Sequence, residues 1–134
     1  MAGSFSDYCE KKILDHIVGK TSFTMPTAFI GLSTSDPGDD ASGAGVDEPV
    51  GSNYARVETS GSDWDVAAAG ATANAAEITF PEASGSWGEI THFALFDAAS
   101  DGNMLAHGTV NVSKDITTGD TPKFSIGDLD ITLD

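Results

Sequence analysis

The spacing of apolar residues along this chain changes once, near residue 19. Phe5, Cys9, Ile13 and Ile17 fall four apart, with Leu14 and Val18 widening the stripe, which predicts one amphipathic helix over 5–18. Ser4 and Ser6 precede it as capping residues, Gly19 follows where a left-handed cap is wanted, and Lys20 complements the helix dipole. Beyond Gly19 the period falls to two. No second helix of comparable quality follows.

Over 27–33, Ala28, Ile30 and Leu32 alternate with Thr27, Phe29 and Gly31, the pattern of a strand buried on at least one face. Residues 34–53 are mostly Asp, Gly, Ser and Pro with almost nothing to bury, and predict a long, acidic, mobile loop. A strand resumes over 54–59 and continues over 62–66 after a turn at Gly61. The Ala-rich stretch 67–76 reads as loop or edge. Ile78 and Phe80 then point one way and Glu77 and Thr79 the other, until Pro81 ends the run.

The strand from Glu89 places Ile90, His92, Ala94 and Phe96 on one face and Thr91, Phe93 and Leu95 on the other, so it is expected at the centre of the core. A loop holding Asp101-Gly102 leads into its hairpin partner, 104–112. Shorter strands are expected at 123–126 and 129–133. Turns recurring about every ten residues predict a mainly β fold, an antiparallel β-sandwich or small barrel with one N-terminal amphipathic helix. One domain spanning 1–134 is expected, its β body running from 27 to 133.

Charge sharpens this picture. The chain has 134 residues, with 21 acidic against 6 basic and a formal net charge of -15. Lys11, Lys12 and Lys20 balance Asp7, Glu10 and Asp15, so a neutral head precedes a strongly acidic body. Such a surface repels phosphate backbones and anionic lipid, which disfavours nucleic-acid and membrane partners. The acidity suits plain solubility, salty surroundings or a basic partner.

Other compositional signals narrow the chemistry. A single cysteine, Cys9, excludes an intrachain disulfide. With no signal peptide and no apolar run long enough to span a bilayer, a soluble protein is expected.

Catalytic motifs are missing. His16, His92 and His107 lack metal-ligand spacing, although His92 and His107 approach each other across the predicted hairpin. Gly-x-Ser-x-Gly and phosphate-binding loops are absent, and Cys9 on a helix face reads as packing. The clusters Asp36/Asp39/Asp40 and Asp97/Asp101/Asn103 do not follow the EF-hand pattern and read as turn formers. No catalytic residue, cofactor or metal site is expected, and the chain is read as a non-enzyme.

Taken together, the Ser-Phe-Ser lead into the helix, Phe29-Ile30-Gly31-Leu32-Ser33, Tyr54-Ala55-Arg56, Ile78-Thr79-Phe80-Pro81, Trp87-Gly88 through Phe96-Asp97 and the closing Gly127-Asp128-Leu129-Asp130-Ile131 resemble a family. It is that of small tailed-bacteriophage virion structural proteins, often labelled tail fibre proteins. The resemblance covers nearly the whole chain.

It implies a virion component, a homo-oligomer whose partners are other virion proteins, either the major capsid protein or tail or head-fibre components. A chain this short suits a capsid decoration or cement protein that stabilises the particle. The alternative is a receptor- or glycan-binding module with exposed aromatics. Candidate partner-contacting residues are Phe5, Tyr8, Ile13 and Ile17 at the helix, with Trp64 and Trp87 on the body.

Overall fold

A computed structural model describes residues 2–133. Its longest strands are β6 (Gly88–Phe96) and β7 (Met104–Ile116), the expected antiparallel hairpin. Around it lie β1 (Ala2–Phe5), helix α1 (Asp7–Ile17), β2 (Phe29–Ser33), β3 (Val57–Glu58), β4 (Ala71–Ala73), β5 (Ile78–Thr79), β8 (Lys123–Phe124) and β9 (Asp130–Thr132). Seven strands form one sheet in the order β3-β2-β6-β7-β1-β9-β4, and β5 pairs with β8 in a separate two-stranded ribbon. The Ala-rich stretch is indeed an edge, since β4 ends the sheet.

The ribbon lies on one face of the large sheet. Phe124 meets Phe93 of β6 edge-on at 6.2 Å between ring centroids and Phe80 at 6.1 Å. Together with Ile30, Leu95 and Ile131 these rings form the main core, so the fold is a lopsided sandwich with one large and one small layer. Pairing is antiparallel except between β1 and β9, which run parallel. The first and last strands thus lie side by side inside the sheet.

The predicted faces of β6 need one correction. Ile90, Phe93 and Leu95 belong to the main core, whereas Ala94 and Phe96 join Val46 and Met104 on the opposite face. Simple alternation would have put Ile90 with Ala94. A register shift between Ile90 and His92 breaks it: Ile90 faces Lys114 while His92 faces Thr109, so Val110 to Ser113 of β7 stand opposite Thr91 alone. Such a bulge resets which side chains point inward. It also extends β7 to Ile116, beyond the expected end at 112.

The N-terminus differs as well. Residues 2–5 form a strand, and α1 begins at Asp7 with Ser6 as its cap, so Phe5 sits in β1, half-buried against the core. Ser6 is fully buried and makes three connections: it accepts the Cys9 N–H, donates its hydroxyl to the Met104 carbonyl, and donates its N–H to Leu105. Sheet pairing wins over helical spacing at Phe5, because β7 offers β1 a backbone partner that one more helical residue would forfeit.

Predicted strands near the middle are shorter or absent. Only Val57–Glu58 of 54–59 pairs, and 62–66 gives way to a 3-10 turn at Gly61–Asp63 capped reciprocally by Ser60 and Asp63. Ser6→Ala removes a helix cap and leaves a buried carbonyl unpaired, so we expect a loss of about 2 kcal/mol. Urea unfolding should show a lower midpoint with an unchanged slope.

Candidate interaction surfaces

Arg56 is the cation that holds the acidic loop to the sheet. Its side chain is 2% exposed, and its guanidinium donates to both carboxylate oxygens of Glu48, at 2.9 and 2.6 Å. Its remaining N–H groups reach the carbonyls of Ala98, Asp101 and Gly43. The guanidinium also stacks on the Phe96 ring, 3.4 Å from its centroid. One side chain therefore ties together the 41–50 segment, the β6–β7 hairpin loop and the second face of the sheet.

Glu48 in turn accepts the Tyr54 hydroxyl at 2.6 Å, and the Tyr54 oxygen accepts the Leu32 N–H. Burial and the adjacent Glu48 push the Tyr54 phenol well above its usual range, so it stays protonated. Glycine at 31 makes room for this cluster, because a Cβ there would lie 2.7 Å from both Glu48 Oε1 and the Phe96 ring. The 34–53 segment, expected to be mobile with little to bury, is fastened: Val46 and Pro49 are buried and Gly43 packs against the Asp101 backbone.

The other polar candidates are also occupied locally. Asp36 caps Gly38, Asp39 pairs with His107 at 2.7 Å, and Asp97 holds both the backbone and the side-chain amide of Asn103. Asp36, Asp39 and Asp97 thus act as turn caps and loop ties. His16 accepts the Phe23 N–H and His92 bonds Thr91. Cys9 is buried, and desolvation followed by Glu10 pushes its thiol up to about 11.

Among the described residues, no group of three or more His, Cys, Asp or Glu is placed to hold a metal ion, and no buried side-chain polar atom lacks a partner. No described helix is long and apolar enough to cross a membrane.

The candidate contact residues separate into two sets. Trp87 is in the core, 4% exposed, with its indole N–H donated to Ser52 and its ring edge-on to Tyr54 at 5.2 Å. Trp64 is half-buried against the core and donates to the Thr59 hydroxyl. Phe5, Tyr8 and Ile13 pack partly against the core, and Tyr8 sits beneath the Lys12 ammonium. Ile17 alone of the six is open, at 74%.

Around Ile17 the helix exposes more than the candidate set contained. Leu14 is 64% and Val18 74% exposed, so α1 presents an aliphatic ridge to solvent. The stripe predicted from sequence was wider than the sheet can cover, because the helix docks mainly through Cys9, Tyr8 and Ile13.

A second apolar site was not expected. Where β7 bulges away from β6, a groove of about 310 Å3 opens between Val110, Val112, Ile116 and the Thr121–Phe124 segment, floored by Leu32 and Ile90. Val112 on its rim is 81% exposed. Such a groove depends on the bulge, which alternation alone does not announce.

A family model described as podophage GP4 fibre I protein gp80 matches residues 4–132, almost the entire chain. The chain belongs to this family. It is therefore a structural protein of the tailed-phage virion, as the strand and turn motifs had suggested, and the family is described as that of a fibre protein. Among curated proteins none matches it.

Within this fibre-family fold, Arg56 is the residue whose loss should be felt most. Arg56→Ala leaves Glu48 and several carbonyls buried without their donor, and should cost about 3–5 kcal/mol. Arg56→Lys keeps the charge without the planar fork and should fall between. Chemical denaturation of the three proteins checks the order.

Proposed function

We propose that this chain is a non-enzymatic structural subunit of a virion fibre, working through protein–protein contact at its α1 end. One observation carries this reading. The ionisable and aromatic groups that chemistry or sugar stacking would need are engaged inside the body, as with Arg56, Glu48, Tyr54 and Trp87, while aliphatic side chains on α1 are left in solvent. A surface of that kind associates with protein, since removing each exposed aliphatic side chain from water contributes roughly 1.5–3 kcal/mol. The fibre description of the family supports the same conclusion.

Capsid decoration is the second reading. It is favoured by the short strands and the absence of the sequence repeat that an extended shaft would require. In both readings binding to the assembled particle alone stabilises it by mass action. The glycan-binding reading draws little support from the tryptophans, since Trp87 is enclosed and Trp64 is half-buried against the core.

Cryo-electron microscopy of the particle separates the two virion readings by position. Density for this fold in a tail or head appendage is expected, and density lying flat between coat subunits would establish decoration. Particles stripped of the protein should, under decoration only, release DNA at lower temperature. Detectable turnover of a glycan or ester by the purified protein, lost with a carboxylate substitution, would overturn the non-enzymatic part.

A further inference from the structure

Residues 2–17, strand β1 and helix α1 together, form an arm whose sheet partners lie at the far end of the chain. β1 runs antiparallel to β7 and parallel to β9, and Ser6 is bonded to Met104, 98 residues on. Within the large sheet, β9 and β4 join the other strands only through β1. Each copy therefore needs residues 2–5 of some chain to complete its sheet. Strand β2, which follows the arm in sequence, pairs with β3 and β6 instead.

The connection between arm and body is thin. Lys20 and Thr21 donate back to the Asp15 carbonyl and Phe23 donates its N–H to His16, so 20–23 turn on the helix itself. Residues 24–27 are all exposed, Met25 at 90%, and among the described residues they make no hydrogen bond or ion pair. Pro26 holds Met25 extended and brings no N–H of its own. At Ala28, whose carbonyl accepts two bonds from Thr59, the body begins. Drawn out, 18–28 spans about 35 Å, roughly the diameter of a folded chain of this size.

Order of synthesis also separates the arm from its slot. The arm is made first and β7 and β9 are made late, so it stays undocked until nearly the whole chain exists. The slot recognises groups that every copy carries on residues 2–17, and it accepts a neighbour's arm with the same bonds as its own. What favours the chain's own arm is the tether, equivalent to roughly millimolar concentration, and a neighbour held in contact within an assembly competes on similar terms.

We propose that residues 2–17 are an exchanged arm: in the assembled fibre, β1 of one copy fills the slot between β7 and β9 of its neighbour, and α1 docks there with it. The bonds of Ser6 and the packing of Tyr8, Cys9 and Ile13 are then made between copies. A copy that gives its arm away leaves its own slot open for another. This deepens the fibre-subunit reading and rests on it.

Cysteine trapping tests the exchange on the full chain. Ser4 and His107 oppose each other across β1 and β7 and line one hollow. Opposed residues of an antiparallel ladder lie about 4.5–5.5 Å apart at Cα, within disulfide range. In a Cys9→Ala background, Ser4→Cys and His107→Cys are placed in separate chains, checked for folding by circular dichroism, unfolded in urea, mixed, refolded together and oxidised. A disulfide-linked dimer holding one of each, identified by mass spectrometry, is expected, and it should become roughly tenfold more abundant when the refolding concentration rises tenfold. Ser4→Cys mixed with Ser113→Cys, exposed on β7 beyond the residues that pair with β1, is the collision control and should give little.

Absence of the crossed dimer overturns arm exchange, with Ser4→Cys and His107→Cys in one chain showing that the pair can close. A crossed yield no greater than that of the Ser113 control overturns it too. If the bond closes only within a chain and the protein is still found in a tail or head appendage, the exchange fails and the fibre-subunit reading stands. If the crossed dimer forms but the protein lies between coat subunits, the reverse holds.

Discussion

The ion pair between Arg56 and Glu48 is the constraint on which one whole face of this protein rests. A guanidinium withdrawn from water is costly unless its donors are met, and here Glu48 and three carbonyls meet them while Phe96 stacks beneath. The main core is conventional, with aromatic rings between a large sheet and a two-stranded ribbon. The opposite face has few large side chains to bury, chiefly Phe96, Met104 and Val46. Polar fastening replaces apolar area there, and the loop that looked unfastened in sequence becomes the second cover of the sheet.

That division explains what was legible in the chain and what was not. The hairpin, the short strand at Ile78 and the helix stop at Gly19 are local patterns, and each appears where periodicity and turn chemistry put it. Strand β1 escaped because its partners, β7 and β9, are a hundred or more residues away, and four residues carry too little alternation to reveal pairing across that distance. The reversal at Ile90 escaped for a related reason. A bulge is a property of two strands, and nothing in the β6 sequence records that β7 has extra residues opposite Thr91.

The candidate contact residues show the same limit. Ile17 was readable as surplus helix hydrophobicity, yet Trp87 reads equally as a plug or a platform until its Ser52 partner is known. The most informative signal for Arg56 was composition: it is the only cation between Lys20 and Lys114 in a strongly acidic stretch. An isolated cation amid carboxylates has many neighbours to choose from. Its burial, and its choice of Glu48, follow from the space above Gly31, which sequence marks only as a glycine within a strand.

The acidity itself then divides into local causes. Asp36, Asp63, Asp97, Asp120 and Asp128 each accept a backbone N–H within a few residues along a turn or loop, at Gly38, Ser60, Asn103, Thr117 and Ser125. The Thr117 N–H holds the Asp120 carboxyl below the usual range, the direction expected when an amide favours the charged form. A protein built from short strands has many turns, and aspartate is a turn residue that caps by hydrogen bond. Five of the 21 acidic side chains therefore follow from the architecture, with no basic partner required. The same repetition leaves a surface on which positive charge is scarce.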